Sequence, residues 1–198
     1  SNAPSSASVS DVQSLASITT DATYTAATAD SVGVSFLEST GAAVDLFSGF
    51  DIGNNDSLTG FKITVENLAN GNSEKLIVGG QTISLGTAVA SGTSITLTNS
   101  SARSFTYALE LSDSDSTATL TFSNSVGTVP YTDYEYFLNN LQYDNEAAQP
   151  TEGTRIVSVI EISDSSAATT LDIAAPVEVS ADQNDAPSTS ADTGAVNE

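Results

Sequence analysis

The side chains best able to do chemistry in this chain are carboxylates and amides that stand in turns, at the ends of predicted strands and in the final segment. Calcium takes about six to eight oxygen ligands, and turns with alternating Asp and Asn bring several side-chain and backbone oxygens together. The pattern predicts calcium binding, although each residue taken alone could equally be a turn former or a solvated charge. The candidate ligands are Glu38, Asn54, Asp56, Asp164, Asp182, Asn184 and Asp185.

A second acidic turn, Asp113-Ser114-Asp115-Ser116, has the same alternating spacing. A hairpin tip that is open to water lacks the additional oxygen ligands that a calcium cage requires. We therefore expect it to be a plain turn. The sequence contains no complete helix-loop-helix calcium loop and no glycine-rich nonapeptide array.

The charge balance excludes several classes of function. The chain has 25 Asp and Glu residues against four Lys and Arg, a formal net charge of −21, and neither His nor Cys. Without these two residue types there is no ordinary general base for neutral pH and no zinc, copper or haem site of the usual kind. The four cations, Lys62, Lys75, Arg103 and Arg155, do not cluster, so nucleic acid is not an expected partner. Because the chain repels itself, bound cations should stabilise its folded state.

Paired carboxylates are the remaining route to catalysis, since two of them can hydrolyse a glycosidic bond. Among 25 acidic residues some pairs arise by chance, so a pair does not by itself indicate a glycosidase. The sequence also lacks Trp, the usual platform for a sugar ring, and shows no sign of an apolar pocket that would raise the pKa of one acid. We predict that the chain is not an enzyme.

The elements that must position these residues are β-strands. From Tyr24 onward, apolar residues recur mostly with period two in short runs separated by Gly, Asn, Asp and Ser, which predicts an antiparallel β-sandwich. Gly79 and Gly80 predict a tight hairpin turn. The run 156–162 is nearly continuous in apolar residues and predicts an interior strand. Strands are predicted around 32–36, 61–65, 76–78, 83–85, 95–97, 105–111, 118–122, 156–162 and 171–179.

One segment has a helical pattern instead. Thr132 and Glu135 have the spacing of a capping box at the start of a helix over 132–141. We expect this single short helix to cover one end of the sandwich, and Asn139, Asn140, Asp144 and Asn145 to form a turn after it. The predicted apolar stripe of the helix consists of Tyr134, Phe137, Leu138 and Leu141.

Aromatic side chains are concentrated in the same segment, at Tyr131, Tyr134, Tyr136 and Phe137. Such a cluster could line a groove for a sugar or peptide ligand. It could also be core packing beneath the helix, which is the commoner case. Both interpretations stay open at this stage.

Composition also suggests how the chain is organised. Residues 1–3 look like the remnant of an expression tag, and the absence of Met suggests a fragment of a longer polypeptide. We predict a linker over 4–17, a single β-sandwich domain over 18–181 and a linker into a following repeat over 182–198. No apolar run approaches the roughly 18 residues that a membrane-spanning helix needs, so membrane insertion is not expected.

Specific residues carry a resemblance to a known family. The segment 138–155 reads LNNLQYDNEAAQPTEGTR and resembles the segment with a leucine, a spacer, Tyr-x-Asn and Pro-Thr-x-Gly-x-Arg in cadherin-like repeats of giant bacterial surface adhesins and RTX exoproteins. Similar elements are Phe36-Leu37-Glu38, the segment 52–57, Asp164 at a strand end, and the linker-like Asn-Asp-Ala-Pro at 184–187. Asn54 stands where these repeats usually have Asp, and Ser-Ser-Ala follows Asp164 in place of a Gly-rich turn.

The resemblance implies an immunoglobulin-like (cadherin-like) sandwich that serves as a structural extender repeat in a secreted or cell-surface bacterial adhesin. Its partners would be neighbouring repeats, with Ca²⁺ stiffening the joints between them. The alternative is a module of the same kind of adhesin that binds a host or surface glycan or peptide through the 131–137 face. For Arg155, at the start of an interior strand, we expect a carboxylate partner and a structural role.

Overall fold

The computed structural model describes residues 11–14, 28–31, 34–38, 41–52, 57–96, 103–125, 129–165 and 168–180. In this part of the chain, fifteen strands and a single α-helix form, and the all-β prediction is confirmed. The helix is α1 (Tyr131–Asn139), and a short 3₁₀ turn spans Gly71–Ser73. The strands are β1 (Asp11–Ser14), β2 (Thr28–Ser31), β3 (Val34–Leu37), β4 (Val44–Asp45), β5 (Phe47–Asp51), β6 (Ser57–Glu66), β7 (Glu74–Val78), β8 (Gln81–Ser84), β9 (Val89–Thr96), β10 (Ser104–Ser112), β11 (Thr117–Asn124), β12 (Val129–Pro130), β13 (Gln142–Asn145), β14 (Gly153–Asp164) and β15 (Ala168–Ser180).

The strands form one large sheet and two small ones. In the large sheet, called the main sheet below, the order is β3-β15-β14-β6-β11-β10-β9, and β12 pairs with the start of β6. All its pairs are antiparallel except β3 and β15, which are parallel. The small sheets have the orders β1-β2-β5 and β4-β13-β7-β8. Because β14 has a neighbour on each side, the predicted interior position of 156–162 is confirmed.

A β-bulge in β14 changes which of its positions face the core. The pairing of β14 with β6 shifts between Val159 and Glu161, which leaves Ile160 as the extra residue on β14. A bulge moves the inward-facing set by one position, so the buried apolar positions change from odd to even residue numbers. Val157 and Val159 are buried before the bulge and Ile162 is buried after it.

The buried apolar residues of all three sheets and of α1 form one core. Its centre is aromatic: Phe61 stacks on Phe122 at a ring separation of 4.6 Å, and Phe137 meets both rings edge-on. These contacts hold α1 on the main sheet, since edge-to-face ring pairs add to the gain from burial. The four residues of the predicted helical stripe are fully buried, as expected: Tyr134, Phe137, Leu138 and Leu141.

The predicted capping box is wrong. The helix begins at Tyr131, after Pro130, and no side chain caps its first turn. Glu135 Oε1 accepts a hydrogen bond from the backbone N–H of Ile52 at 2.9 Å instead. The Glu135 carboxylate therefore binds the backbone at the end of β5 and does not form the helix cap that the sequence pattern predicts.

The segment after α1 also differs from the expectation. Asp144 and Asn145, predicted to lie in a turn, belong to β13, which pairs with both β4 and β7.

The N-terminal segment 4–17, predicted to be a linker, includes β1, which pairs with β2. Gly79 and Gly80, with φ of 56° and 75°, form the predicted two-residue turn between β7 and β8.

Candidate functional site

Two of the seven predicted calcium ligands fall within the described residues, Glu38 and Asp164. Glu38 follows β3, and Asp164 is the last residue of β14. The other five predicted ligands lie outside the described residues: Asn54, Asp56, Asp182, Asn184 and Asp185.

Glu38 and Asp164 lie at opposite ends of the main sheet. Leu37 pairs with Ser180 at the end of β15, while Ala168 at the start of β15 pairs with Ser163. The twelve residues of β14 separate the two ends, and at about 3.3 Å per residue they span roughly 35–40 Å. The two carboxylates therefore cannot contribute to one calcium ion within a single copy of the chain.

The sequence neighbours of these two residues divide in the same way. Asp164 pairs with Leu58 near the start of β6, directly after residues 53–56, and its backbone oxygen accepts a hydrogen bond from Thr59 Oγ1 at 2.9 Å. Ser180 pairs with Leu37 directly before residues 181–198. In the sequence, residues 53–56 directly precede β6 and residues 181–198 directly follow β15.

Within each end, the described part of the chain does not bring three acidic side chains close enough to hold a metal ion. The second acidic turn joins β10 and β11 and is closed by its own hydrogen bonds. Ser116 donates to the backbone oxygen of Asp113 from its N–H at 3.4 Å and from its Oγ at 2.8 Å. These contacts are those of a hairpin turn, as the sequence led us to expect.

All four cations of the chain form ion pairs inside the molecule. The pairs are Lys62 with Glu161, Lys75 with Glu146, Arg103 with Asp133, and Arg155 with Glu74. The basic side chains are thus engaged locally, and the surplus of carboxylates gives the chain its net charge of −21.

The fully buried carboxylate of Glu74 accepts four hydrogen bonds. Its Oε1 accepts hydrogen bonds from Arg155 Nε at 2.6 Å and from Tyr143 Oη at 2.7 Å. Its Oε2 accepts from the backbone N–H groups of Ala69 and Asn70, both at 2.7 Å. The Arg155 side chain is only 2% exposed, so the charge pair is buried and both carboxylate oxygens are saturated.

Asn70 forms the second centre of the same network. Its Oδ1 accepts from Arg155 Nη2 at 3.2 Å, from Asn145 Nδ2 at 3.0 Å and from the backbone N–H of Thr151 at 3.0 Å. Arg155 also donates to the backbone oxygens of Thr151 at 2.8 Å and Gly153 at 3.2 Å. The network, called the Glu74–Arg155 network below, joins β7, β13 and β14 to the segments 67–73 and 146–152.

The network gives a structural meaning to the motif that carries the resemblance. Tyr143, Asn145, Thr151, Gly153 and Arg155 are the residues that the segment 138–155 contributes to it. The predicted carboxylate partner of Arg155 is confirmed as Glu74. Sequence reasoning missed Glu74 itself, although it shares the buried face of β7 with Leu76 and Val78. An acid on the inward face of an alternating strand was the available signal.

Two buried tyrosines act as hydrogen-bond donors. Burial raises the pKa of Tyr143 far above its ordinary value, and the neighbouring Glu74 raises it further. Burial likewise raises the pKa of Tyr134, partly offset by the hydrogen bond that its hydroxyl donates to Asn124 Oδ1. Both hydroxyls therefore stay protonated at neutral pH and hold structure together.

Half of the aromatic cluster of α1 belongs to the core. Tyr134 and Phe137 are fully buried, whereas Tyr131 and Tyr136 are partly buried at the margin of the core. Only the latter two could contact a ligand on this face. Core packing therefore explains the presence of Tyr134 and Phe137 in the cluster.

Comparison with known proteins gives no match: no family model fits the chain, and no curated protein and no solved structure is significantly similar to it. In the described residues, no helix is both long and apolar enough to span a bilayer.

Proposed function

We propose that this chain is a structural extender module of a secreted or cell-surface bacterial adhesin, folded as a cadherin-like, immunoglobulin-like sandwich and stiffened by Ca²⁺ at its joints with neighbouring modules. The observation that carries the proposal is the placement of Glu38 and Asp164 at opposite ends of the main sheet. In a tandem array, opposite ends of successive modules meet. A ligand set that is divided between the two ends of one copy can therefore be completed at a joint.

The charge balance supports the same proposal. With every Lys and Arg already paired inside the molecule, carboxylates at a joint repel one another until a cation binds between them. Extracellular modules bind calcium with Kd of about 10⁻⁴ to 10⁻³ M. A tenfold excess over Kd stabilises the bound state by roughly 1.4 kcal/mol per site, so several sites would hold a joint rigidly.

The course of the chain is a third support. Strands β3 and β15 are parallel. The chain therefore runs toward the same end of the main sheet in β3 and in β15, its last described strand. One core shared by all three sheets gives the module a rigid body. Such a body transmits force along a stalk if the joints are rigid as well.

The test uses two copies of the chain joined head to tail, which supplies both sides of a joint. We expect millimolar Ca²⁺, compared with a chelator, to raise the melting temperature and to extend the molecule in small-angle X-ray scattering, with Mg²⁺ giving a smaller effect. Glu38→Gln and Asp164→Asn should each reduce the calcium response. Asp172→Asn is the matched control, because Asp172 is exposed on β15 away from both ends.

Scattering and melting curves that are the same with calcium and with chelator would overturn the proposal. Equal loss of the calcium response in all three variants would show that calcium acts through total charge and not at a joint. Calcium-dependent binding of one glycan or peptide on an array, without any change in the joint, would favour the alternative of a ligand-binding module.

A further inference from the structure

Asn70-Gly71 is the one Asn-Gly pair in the chain, and it stands between β6 and β7 at the centre of the Glu74–Arg155 network. Asn-Gly is the dipeptide most prone to spontaneous deamidation, because glycine has no side chain to hinder attack by its own backbone nitrogen. In unfolded chains this reaction proceeds without an enzyme. The fold therefore decides whether this pair reacts.

The side-chain amide of Asn70 is held on both of its polar atoms. Three donors from Arg155, Asn145 and Thr151 surround its Oδ1. Its Nδ2 donates to Thr151 Oγ1 at 3.0 Å, and its backbone N–H donates to Glu74. Attack on the amide carbon requires this side chain to leave most of these partners.

The attacking residue is held as well. Gly71 lies in the 3₁₀ turn with φ of 55°, and a Cβ on Gly86 would stand 2.3 Å from Asn72 N and from the Gly71 carbonyl carbon, so the two backbones are in direct contact. The backbone oxygen of Ser73 accepts a hydrogen bond from the Glu146 N–H at 2.9 Å. The turn cannot rotate to bring the Gly71 nitrogen onto the Asn70 amide while these contacts last.

We propose that Asn70 is a deamidation site whose reaction is controlled by local opening of the Glu74–Arg155 network. In the open state the Gly71 nitrogen loses its proton and bonds to Asn70 Cγ, the bond from Cγ to Nδ2 breaks, and ammonia leaves, which closes a succinimide ring. Water then adds to one of the two ring carbonyls and the ring opens to aspartate or isoaspartate. The rate follows the population of the open state, as for other reactions of locally unfolded segments.

The two products differ in what they do to the fold. Aspartate keeps the backbone and places a carboxylate where Arg155 Nη2 already donates. Isoaspartate routes the main chain through an additional carbon, so the turn against Gly86 and the contacts of residue 70 cannot both be kept. Deamidation to isoaspartate therefore leaves the network permanently open.

The test compares folded wild type, denatured wild type and folded variants of the full chain in one mildly alkaline buffer, with the modified residue located by peptide mass spectrometry. We expect folded wild type to react at Asn70 at least about tenfold more slowly than the denatured chain. Tyr143→Phe and Arg155→Lys each remove hydrogen bonds of the network and should accelerate the reaction by about tenfold. Arg103→Lys, a matched change at the opposite end of the main sheet, should leave the rate unchanged.

A folded chain that reacts as fast as the denatured one would overturn the proposal, as would the same rate in wild type and in both network variants. Acceleration by Arg103→Lys as large as that by Arg155→Lys would show global unfolding instead of local opening and would also overturn it. If Arg155→Lys does not fold, Tyr143→Phe decides the outcome, because it keeps the buried charge pair.

Discussion

At the residue scale, the same interaction type has different consequences at two places in this molecule. The pair Arg155 and Glu74 is buried on both sides, whereas in the pair Arg103 and Asp133 only Asp133 is buried and the Arg103 side chain is 42% exposed. Exposed pairs contribute little because water screens them. Breaking a buried pair by removing one partner leaves an uncompensated charge, which is costly.

We therefore expect Arg155→Ala to lower the free energy of unfolding by about 3–5 kcal/mol. Arg103→Ala should cost less than Arg155→Ala, because the Arg103 side chain is partly exposed and water screens its charge. Urea denaturation of the two variants and of wild type measures both values. A loss for Arg155→Ala no larger than that for Arg103→Ala would contradict the structural role of the network.

Tyr143 and Tyr134 give the stability a specific pH dependence. Their pKa values are raised by burial above the ordinary value of 10.0, so the folded state binds more protons than the unfolded state once the pH exceeds that value. Their contribution is fully present below the unfolded pKa and is lost as the pH rises toward the folded values. Each tyrosine should remove up to about 1.4 kcal/mol per pH unit in that range.

The measurement is the free energy of unfolding from neutral to strongly alkaline pH, with tyrosinate absorbance recorded in parallel. Tyr143→Phe should be less stable than wild type near neutral pH and should lose stability less steeply in the alkaline range. An identical alkaline slope in wild type and in Tyr143→Phe would show that Tyr143 ionises freely in the folded chain.

At the scale of the elements, prediction succeeded where short-range periodicity decides the outcome. The interior strand β14, the glycine turn between β7 and β8 and the buried stripe of α1 all follow from apolar spacing or from glycine in adjacent residues. It failed where a distant group competes. Glu135 accepts a hydrogen bond from the Ile52 N–H and does not cap the helix. Asp144 and Asn145 belong to β13, which pairs with β4 and β7.

The candidate site shows the same division. A carboxylate partner for Arg155 could be predicted, because a basic residue within an interior strand must be neutralised. Its identity could not, since Glu74 lies 81 residues away in the sequence. The separation of Glu38 from Asp164 likewise follows from strand pairing and not from the local pattern of either residue.

At the scale of the whole molecule, charge and architecture act against each other. One apolar core joins the three sheets and the helix, while the net charge of −21 opposes compaction. Self-repulsion between exposed charges acts over the Debye length, which is about 30 Å at 0.01 M salt and about 10 Å at 0.1 M. Between these two salt concentrations, the distance over which the charges repel one another falls from about the size of the molecule to the spacing of neighbouring charges.

We therefore expect the melting temperature of the single module to rise steeply with NaCl up to about 0.1 M and to change less above it. Differential scanning calorimetry at fixed pH measures the curve. A rise only at higher concentrations would reflect salting-out of apolar surface instead. A flat or falling curve would show that the excess carboxylates do not destabilise the fold.

At matched ionic strength, Ca²⁺ and Mg²⁺ screen equally, so any larger effect of Ca²⁺ measures specific binding by the ligands of a single copy. The proposed calcium sites need both sides of a joint, so that difference should be smaller for the single module than for two modules joined head to tail.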